Sequence, residues 1–399
     1  MNRTVLLGLL AVGFVSGAYA RERLIDSEAD QPRGAELAIH RGASCGLSAG
    51  VHSKETDEIL SRIKEKYRLQ AVIVGIASGN GETVTQAVGN SMTGVKAAPN
   101  MHWRIGAVTH TMYATLLLRY MDQHIVSLED KLSKWFPELP GSDHVTLRML
   151  SNNTSSYDDY VYLPQFQDVY LDDPFREWTD DELVAIGISG PKTLAYPPGT
   201  DFNYSHTNFV ILKQVLEKIG GEPIDQLLRE HILQPLRLRD TEYPLNSDIA
   251  HPALHAFDIM HDVYQESTYW SPSWTSGPMS SNVCDLVRWS RALGRGTLLS
   301  PASRKEMFAP VTVGTNEPSF YYAMGVIVAN TWIVQTPSYA GFYGLMAYLP
   351  SKDISINVVS TLTREGAAKP SNYSRLIFVE IAKLLAPDVP VPERILEGP

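Results

Sequence analysis

The chain has 399 residues, of which 44% are hydrophobic and 20% charged, a balance typical of a globular protein with a substantial core. Its formal net charge of −10 argues against nucleic acid or an anionic lipid surface as a partner. The two cysteines, Cys45 and Cys284, and the scattered histidines lack zinc-finger spacing, so no metal or other cofactor is expected. The cysteines could pair in an oxidising compartment, but we expect two free, buried thiols instead.

The first twenty residues are predicted to be a cleaved secretory signal peptide. Arg3 gives a positive start, residues 5–15 form an apolar core, and Ala18-Tyr19-Ala20 is a small-x-small cleavage site. The apolar core is too short to span a bilayer, and no later stretch is long and apolar enough, so no membrane span is expected. A secreted or periplasmic protein is therefore predicted, with residues 21–54 as a loosely ordered lead-in.

Residues 55–390 are predicted to form one domain. Strand patterns occur near both ends of it, at residues 70–77 and 83–88 and again within residues 321–360. A helical lobe of about residues 125–310 lies between them. These patterns predict an α+β fold with one antiparallel sheet built from both ends of the chain, flanked by helices and interrupted by the lobe.

Helical periodicity is clear in several segments, and Asn282 is a suitable N-cap for one of them. The predicted helices are residues 56–67, 108–124, 180–187, 207–219, 223–236, 282–293 and 371–385. The remaining chain from residue 125 to residue 310 is predicted to be short helical pieces and loops. A cleft between this lobe and the sheet edge is the expected ligand site.

Short phrases of the chain occur in the same order in one family of serine hydrolases. They include Arg104-Ile105-Gly106, Leu128-Glu129-Asp130-Lys131-Leu132, Pro198-Gly199-Thr200, Asp285-Leu286 and Ala347-Tyr348-Leu349-Pro350. On these residues the chain resembles the serine β-lactamase and D-alanyl-D-alanine carboxypeptidase family, which includes penicillin-binding proteins, near its class C β-lactamase-related branch. The resemblance covers about residues 55–385 and implies the antiparallel sheet, flanking helices and helical lobe of that family.

The resemblance also implies where the nucleophile should be, and this chain departs from the pattern there. The family carries Ser-x-x-Lys at the start of a buried helix, and the Lys takes the proton of the attacking Ser. Here Ala107 stands at the Ser position and His110 at the Lys position. A methyl group cannot attack a carbonyl carbon, so acyl-serine chemistry is expected to be absent.

The other family motifs are altered as well. Tyr204-Ser205-His206 keeps the family Tyr, but His206 stands where the family has Asn. Gln335-Thr336-Pro337 stands at the Lys/His-Thr-Gly motif that binds the substrate carboxylate, so the Thr remains and the cation is lost. Asn153 begins the phrase at the family's Thr-Ser-Gly turn. The resemblance makes Tyr204, Asn153, Gln335 and Thr336 the candidate ligand-binding residues.

Three functions remain open on the sequence. The first is a ligand-binding pseudoenzyme that takes a small-molecule or peptide-like ligand and does not hydrolyse it, with His110 buried in the space of the family Lys. The second is an enzyme rebuilt on the same cleft, with His110, His206 and Tyr204 as acid–base groups. The third is an active family hydrolase, of carboxypeptidase, β-lactamase or esterase type, that uses an unrecognised nucleophile. Asp158 and Asp159 follow the altered turn, where they either approach the cleft or, as we prefer, lie in a solvated loop.

Overall fold

The structure, a computed structural model, describes Cys45 and residues 48–79, 83–273 and 275–397. The predicted signal peptide and most of the predicted lead-in lie outside the described residues. No helix in the described part of the chain is both long and apolar enough to cross a membrane.

Helices lie in the middle of the chain and at both of its ends. They are α1 (Ser53–Tyr67), α2 (Val108–Asp122), α3 (Leu147–Ser151), α4 (Pro164–Asp172), α5 (Asp180–Ile188), α6 (His206–Gly220), α7 (Ile224–Leu228), α8 (Gln234–Leu236), α9 (Val283–Arg295), α10 (Pro301–Met307), α11 (Arg364–Ala367) and α12 (Ser374–Leu385). A π-helical segment, Arg229–Leu233, joins α7 to α8. Asn282 caps α9 as predicted, because its side chain accepts hydrogen bonds from the backbone of Cys284 and Asp285.

Strands come from both ends of the chain, as the sequence predicts. They are β1 (Leu69–Ala77), β2 (Thr83–Met92), β3 (Val95–Lys96), β4 (Trp103–Arg104), β5 (Phe257–Met260), β6 (Val263–Glu266), β7 (Ser280–Ser281), β8 (Phe320–Tyr322), β9 (Ile327–Ala329), β10 (Trp332–Gln335), β11 (Ser338–Tyr339), β12 (Phe342–Leu349) and β13 (Ile354–Leu362). The main sheet is antiparallel in the order β3-β2-β1-β13-β12-β10-β9-β8, with β11 paired to β12. The α+β fold predicted from the sequence is therefore confirmed.

The centre of the sheet is buried on both faces. Every residue of β13 is buried, which explains its nearly continuous apolar and small composition. Helices α1 and α12 pack together against the sheet, and α9 packs against β1 and β13. Gly75 of β1 allows this close approach, because a Cβ there would lie 3.0 Å from Val283 of α9.

The middle of the chain contains more regular structure than the sequence predicts. Strands β5 and β6 form an antiparallel hairpin in a region expected to hold only helix and loop. Its turn residues, His261 and Asp262, both have positive φ, and neither is the glycine that marks such turns in a sequence. Helices α4 and α10 were also not predicted, although each begins with a proline, a residue favoured at the first helical position.

The expectation of two free cysteines is wrong, because Cys45 and Cys284 form a disulfide. The two residues are 239 positions apart in sequence, and their Cα atoms lie 5.8 Å apart. Two contacts of the folded chain bring the cysteines together. Ser48 pairs with Thr85 of β2, which guides the N-terminal segment along the sheet, and α9, which carries Cys284 in its first turn, packs on the neighbouring strand β1.

Candidate functional site

The start of α2 follows strand β4 and Gly106, and it lies against Pro337 of the main-sheet region. Gly106 follows β4 with a φ of +48°, and Ala107 occupies the N-cap of α2. A Cβ at position 106 would lie 2.8 Å from the Cβ of Pro337, so glycine is required for this approach. The half-buried Ala107 places a methyl group, with no polar atom, at the beginning of the helix.

His110 lies one turn further along α2 and is only 1% exposed. Its imidazole stacks on the ring of Phe209, with centroids 3.7 Å apart and planes 2° apart. Its Nε2 lies 2.7 Å from Ser276 Oγ, and its Nδ1 lies 3.5 Å from the Tyr204 hydroxyl. Burial, and secondarily the nearby His206, hold the pKa of His110 well below its ordinary value, so the imidazole is neutral.

Tyr204 and His206 lie beside His110 at the beginning of α6. The Tyr204 ring meets the His206 ring edge to face, with centroids 5.1 Å apart. Burial, followed by nearby Tyr322 and Asp159, raises the pKa of Tyr204 well above its ordinary value. The hydroxyl therefore remains protonated and available as a hydrogen-bond donor. The structure thus brings His110, Tyr204 and His206 into one cluster.

His206 is paired with Asp159, a residue that the sequence analysis assigned to a solvated loop. That assignment is wrong, because Asp158 and Asp159 are both buried. Asp159 Oδ2 lies 2.9 Å from His206 Nδ1, and Asp159 Oδ1 accepts a hydrogen bond from the backbone of Val161 at 3.1 Å. Asp158 instead accepts a hydrogen bond from the Lys192 backbone. Both carboxylates are thus held by defined partners inside the lobe.

Asn153 contacts the backbone of the segment that carries Tyr204. It is fully buried and has a φ of +61°. Its Oδ1 accepts hydrogen bonds from the Ser205 backbone at 3.1 Å and from Asn208 Nδ2 at 2.9 Å. These contacts hold the segment before α6, so Asn153 supports the position of Tyr204 from within the lobe.

Gln335 and Thr336 lie at the end of β10, where the sheet approaches α2. The Gln335 side chain donates to the Gly325 carbonyl at 2.7 Å and is therefore engaged within the protein. Thr336 Oγ1 accepts a hydrogen bond from the Arg375 guanidinium at 3.1 Å. Arg375 Nε is buried without a hydrogen-bond partner among the described residues. The motif position occupied by Gln335 lacks the cation of the family. A different cation, Arg375 of α12, lies beside Thr336 instead.

Two further residues of the site were not expected from the sequence. Ser276 is hydrogen-bonded to His110, which is 166 residues away in sequence. Arg375 is hydrogen-bonded to Thr336, which is 39 residues away. Neither belongs to a motif that the sequence analysis used, so only the folded chain reveals them. We refer to Ala107, His110, Asp159, Tyr204, His206, Ser276, Thr336 and Arg375 together as the α2 site.

The α2 site carries two histidines and one carboxylate. Across residues 48–79, 83–273 and 275–397, no three His, Cys, Asp or Glu side chains are grouped to hold a metal ion. The polar side chains of the α2 site offer groups for proton transfer, for hydrogen bonding and for recognition of an anion.

Comparisons with known proteins agree with the fold. D-alanyl-D-alanine-carboxypeptidase/endopeptidase AmpH of Escherichia coli K12 is 25% identical over 318 residues, which cover 72% of this chain and 78% of AmpH. Penicillin-binding protein 4* of Bacillus subtilis is 23% identical over 249 residues, and the match spans 58% of this chain but only 53% of that protein. A D-aminopeptidase of Cereibacter sphaeroides is 34% identical over 123 residues, which cover 31% of this chain and 22% of that protein.

Solved structures share the same architecture. A D-stereospecific amidohydrolase from Streptomyces superposes with a TM-score of 0.70 at 24% identity, over 79% of this chain and 97% of that chain. The D-amino acid amidase of Ochrobactrum anthropi, in complex with L-phenylalanine amide, gives a TM-score of 0.71 at 19% identity, over 83% of this chain and 97% of that chain.

The family itself is identified by a match that spans most of the described chain. The Beta-lactamase family model matches residues 56–379, from α1 to the middle of α12. This range contains both halves of the main sheet, the helical lobe and the whole α2 site. The chain therefore belongs to the beta-lactamase family of serine hydrolases.

Proposed function

We propose that this chain has lost the acyl-serine hydrolysis of its family and binds a small-molecule or peptide-like ligand at the α2 site. The observation that carries the proposal is Ala107, because the residue at the start of α2 has no atom that can form an ester with a substrate. Loss of the nucleophile of a hydrolytic triad costs about 10⁶-fold in turnover.

The surroundings of His110 support the same function. A base that activates a nucleophile must lie within hydrogen-bond reach of the proton that it takes, and Ala107 offers no such proton. His110 is instead packed flat against Phe209 and hydrogen-bonded to Ser276 in the interior. The imidazole fills the space beside the helix start as a neutral, satisfied side chain.

Arg375 indicates the chemistry of the ligand. A guanidinium with an unpartnered Nε beside a threonine hydroxyl suits a carboxylate, which accepts hydrogen bonds from both groups. One relative of this chain is named for D-alanyl-D-alanine, and one solved structure with the same fold is named a D-amino acid amidase. We therefore propose a ligand with a free carboxylate, such as a short peptide that ends in a D-amino acid.

Export of the mature protein forms part of the proposal. Residues 1–20 have the composition of a cleaved signal peptide. The Cys45–Cys284 disulfide is the kind of bond that persists in secreted and periplasmic proteins. Mass spectrometry of the protein from an exporting host tests this, with Arg21 as the expected first residue.

Two measurements on the purified chain test the main proposal. Incubation with a fluorescent penicillin and with a fluorophosphonate is expected to leave the intact mass unchanged, while titration calorimetry with D-alanyl-D-alanine detects binding. Arg375→Gln is expected to weaken that binding roughly 10-fold, because a hydrogen bond to a charged group is lost. Arg62→Gln, which removes only a surface ion pair with Glu380, is the matched control. A covalent adduct on the wild-type chain would refute the proposal.

A second candidate function rests on Ser276. Its Oγ lies 2.7 Å from His110 Nε2, the geometry of a nucleophile beside its base. In that case Ser276 would be the unrecognised nucleophile of an active hydrolase. Ser276 and His110 are only 3% and 1% exposed, which favours the structural role. Peptide mapping separates the two functions, because a probe attached to Ser276 and lost in Ser276→Ala would establish the hydrolase.

A further inference from the structure

We propose that His206, oriented by Asp159, is a general base that activates water at the α2 site for the hydrolysis of carboxylic esters bearing a second, free carboxylate. The proposal goes beyond ligand binding and shares only the binding site with it. It needs no nucleophilic serine, so it is compatible with Ala107.

The first support is the pairing of His206 with a buried carboxylate. Asp159 is held rigidly, since one of its oxygens accepts from the Val161 backbone and the other faces His206 Nδ1 at 2.9 Å. An ionised carboxylate accepts a hydrogen bond from Nδ1–H and fixes the tautomer in which Nε2 carries the free lone pair. This is the arrangement required of an imidazole that takes a proton from water.

The second support is the accessibility of His206 in comparison with His110. The His206 side chain is 21% exposed, whereas the side chain of Asp159 is 3% exposed. Among the residues that the structure describes, His206 Nε2 makes no hydrogen bond. The charged or titratable groups around the imidazole are Asp159, Tyr160, Tyr204 and His110. His206 therefore combines a buried orienting group with a free nitrogen at the edge of the site.

The third support is the set of groups that would receive the substrate. Thr336 and Arg375 offer a hydroxyl and a guanidinium to a carboxylate. The Tyr204 ring lies 5.1 Å from the His206 ring. The Tyr204 hydroxyl lies 3.5 Å from His110 Nδ1, and it would turn from this long contact to donate a hydrogen bond to the ester carbonyl. The substrate class that fits these groups is an ester whose acyl part ends in a carboxylate.

The reaction is balanced by one water molecule. His206 Nε2 takes a proton from water as the water oxygen bonds to the ester carbonyl carbon, and the C=O π electrons move to the carbonyl oxygen. The tetrahedral intermediate then collapses, and the C–O bond to the alcohol breaks. The imidazolium returns its proton to the departing alkoxide, so an ester and water give a carboxylic acid and an alcohol.

The test uses mono-4-nitrophenyl succinate, which carries a free carboxylate, and 4-nitrophenyl butyrate, its neutral counterpart. The succinate also releases 4-nitrophenol by attack of its own carboxylate, so the rate in buffer is subtracted for each ester. After this subtraction, the wild-type chain is expected to give a higher kcat/KM for the succinate than for the butyrate. His206→Ala is expected to lower kcat by about 100-fold, as is usual for loss of a general base. Added imidazole should restore part of the rate, which a purely structural role would not allow.

Asp159→Asn tests the positioning role. Its amide can donate to Nδ1, which favours the wrong tautomer, so we expect a lower kcat with little change in KM, and imidazole should not rescue it. The matched control is Glu266→Gln, which alters another carboxylate–histidine pair, between Glu266 of β6 and His255 just before β5, and should retain the wild-type rate. Thermal unfolding of each variant identifies any that fail to fold, and His206→Asn replaces His206→Ala in that event.

The outcomes separate the two proposals. Succinate ester hydrolysis that is equal in the wild-type chain, His206→Ala and His206→Asn would overturn the general-base role, while calorimetric binding of D-alanyl-D-alanine could still stand. A stable succinyl adduct mapped to a side chain of the α2 site would instead overturn both, since it requires a nucleophile there. Hydrolysis lost only in the His206 and Asp159 variants, without an adduct, supports the general base.

Discussion

The imidazole of His110 lies flat on the ring of Phe209, with a centroid distance of 3.7 Å. The stacking covers one face of the imidazole, and Nε2 shares a hydrogen bond with Ser276 Oγ. Burial, and secondarily the nearby His206, hold the pKa of this imidazole well below its ordinary value, so the enclosed side chain is neutral. Several expected behaviours of the protein depend on this enclosure.

Acid is expected to destabilise the protein through His110. Its pKa is lowered in the folded state, so the unfolded chain binds the proton more readily once the pH falls below about 6.5. The stabilising effect of a neutral His110 is complete above that pH and declines below it. Melting temperatures measured from about pH 7.5 to 5 should fall less steeply in His110→Gln than in the wild-type chain. His144→Gln, at an exposed histidine, should retain the wild-type slope.

Restoring the first family motif should restore acylation. In Ala107→Ser/His110→Lys, the new amine lies in the buried space of His110, where desolvation favours its neutral form and lets it act as a base. We expect this double variant to be labelled by fluorescent penicillin. Ala107→Ser/His110→Gln has the hydroxyl without the base and should be labelled at least about 10-fold more slowly. Equal labelling of the two variants would show that position 110 is not the site of the missing base.

Reduction of the Cys45–Cys284 disulfide should lower stability. The bond joins residues 239 positions apart, and disulfides typically stabilise a protein by about 2–4 kcal/mol, chiefly by restricting the unfolded chain. Dithiothreitol should therefore lower the melting temperature of the wild-type protein. The Cys45→Ser/Cys284→Ser variant should melt at the lower temperature in either buffer, and a response of this variant to the reductant would contradict the explanation.

Asn153 should tolerate neither common replacement, but for different reasons. Asn153→Gly keeps the positive φ and loses the hydrogen bonds to Ser205 and Asn208, so about 2 kcal/mol of stability should be lost. Asn153→Ala loses the same bonds and adds the strain of a left-handed backbone, about 1 kcal/mol more. Urea unfolding measures the difference, and an alanine variant as stable as the glycine variant would argue against backbone strain.

The fold was predictable because local patterns specify it. The alternation and β-branched residues of β1, β10 and β13 mark strands, and Asn282 marks the start of α9. The β5–β6 hairpin was not predicted because its turn residues are His261 and Asp262. Both have positive φ, but neither is the glycine that usually marks such a turn in a sequence. The disulfide was missed because the pairing depends on the packing of α9 on the sheet.

The α2 site was predictable only in part. Ala107, His110, Tyr204 and His206 could be identified because they occupy positions in recognisable motifs. The partners that decide what these residues do are distant in sequence: Asp159 is 47 positions from His206, and Ser276 is 166 positions from His110. Burial reversed the expectation for Asp159, since a run of two aspartates in a loop is usually exposed.

The disulfide also determines what happens to any polypeptide attached ahead of Cys45. A protease that cuts the peptide chain between Cys45 and α1 would not free the upstream fragment, because its last residues remain bonded to Cys284. The cut protein would migrate as one species on a denaturing gel without reductant and as two with it. An affinity tag or fluorophore attached ahead of Cys45 would therefore stay with the folded domain after a cut between Cys45 and α1.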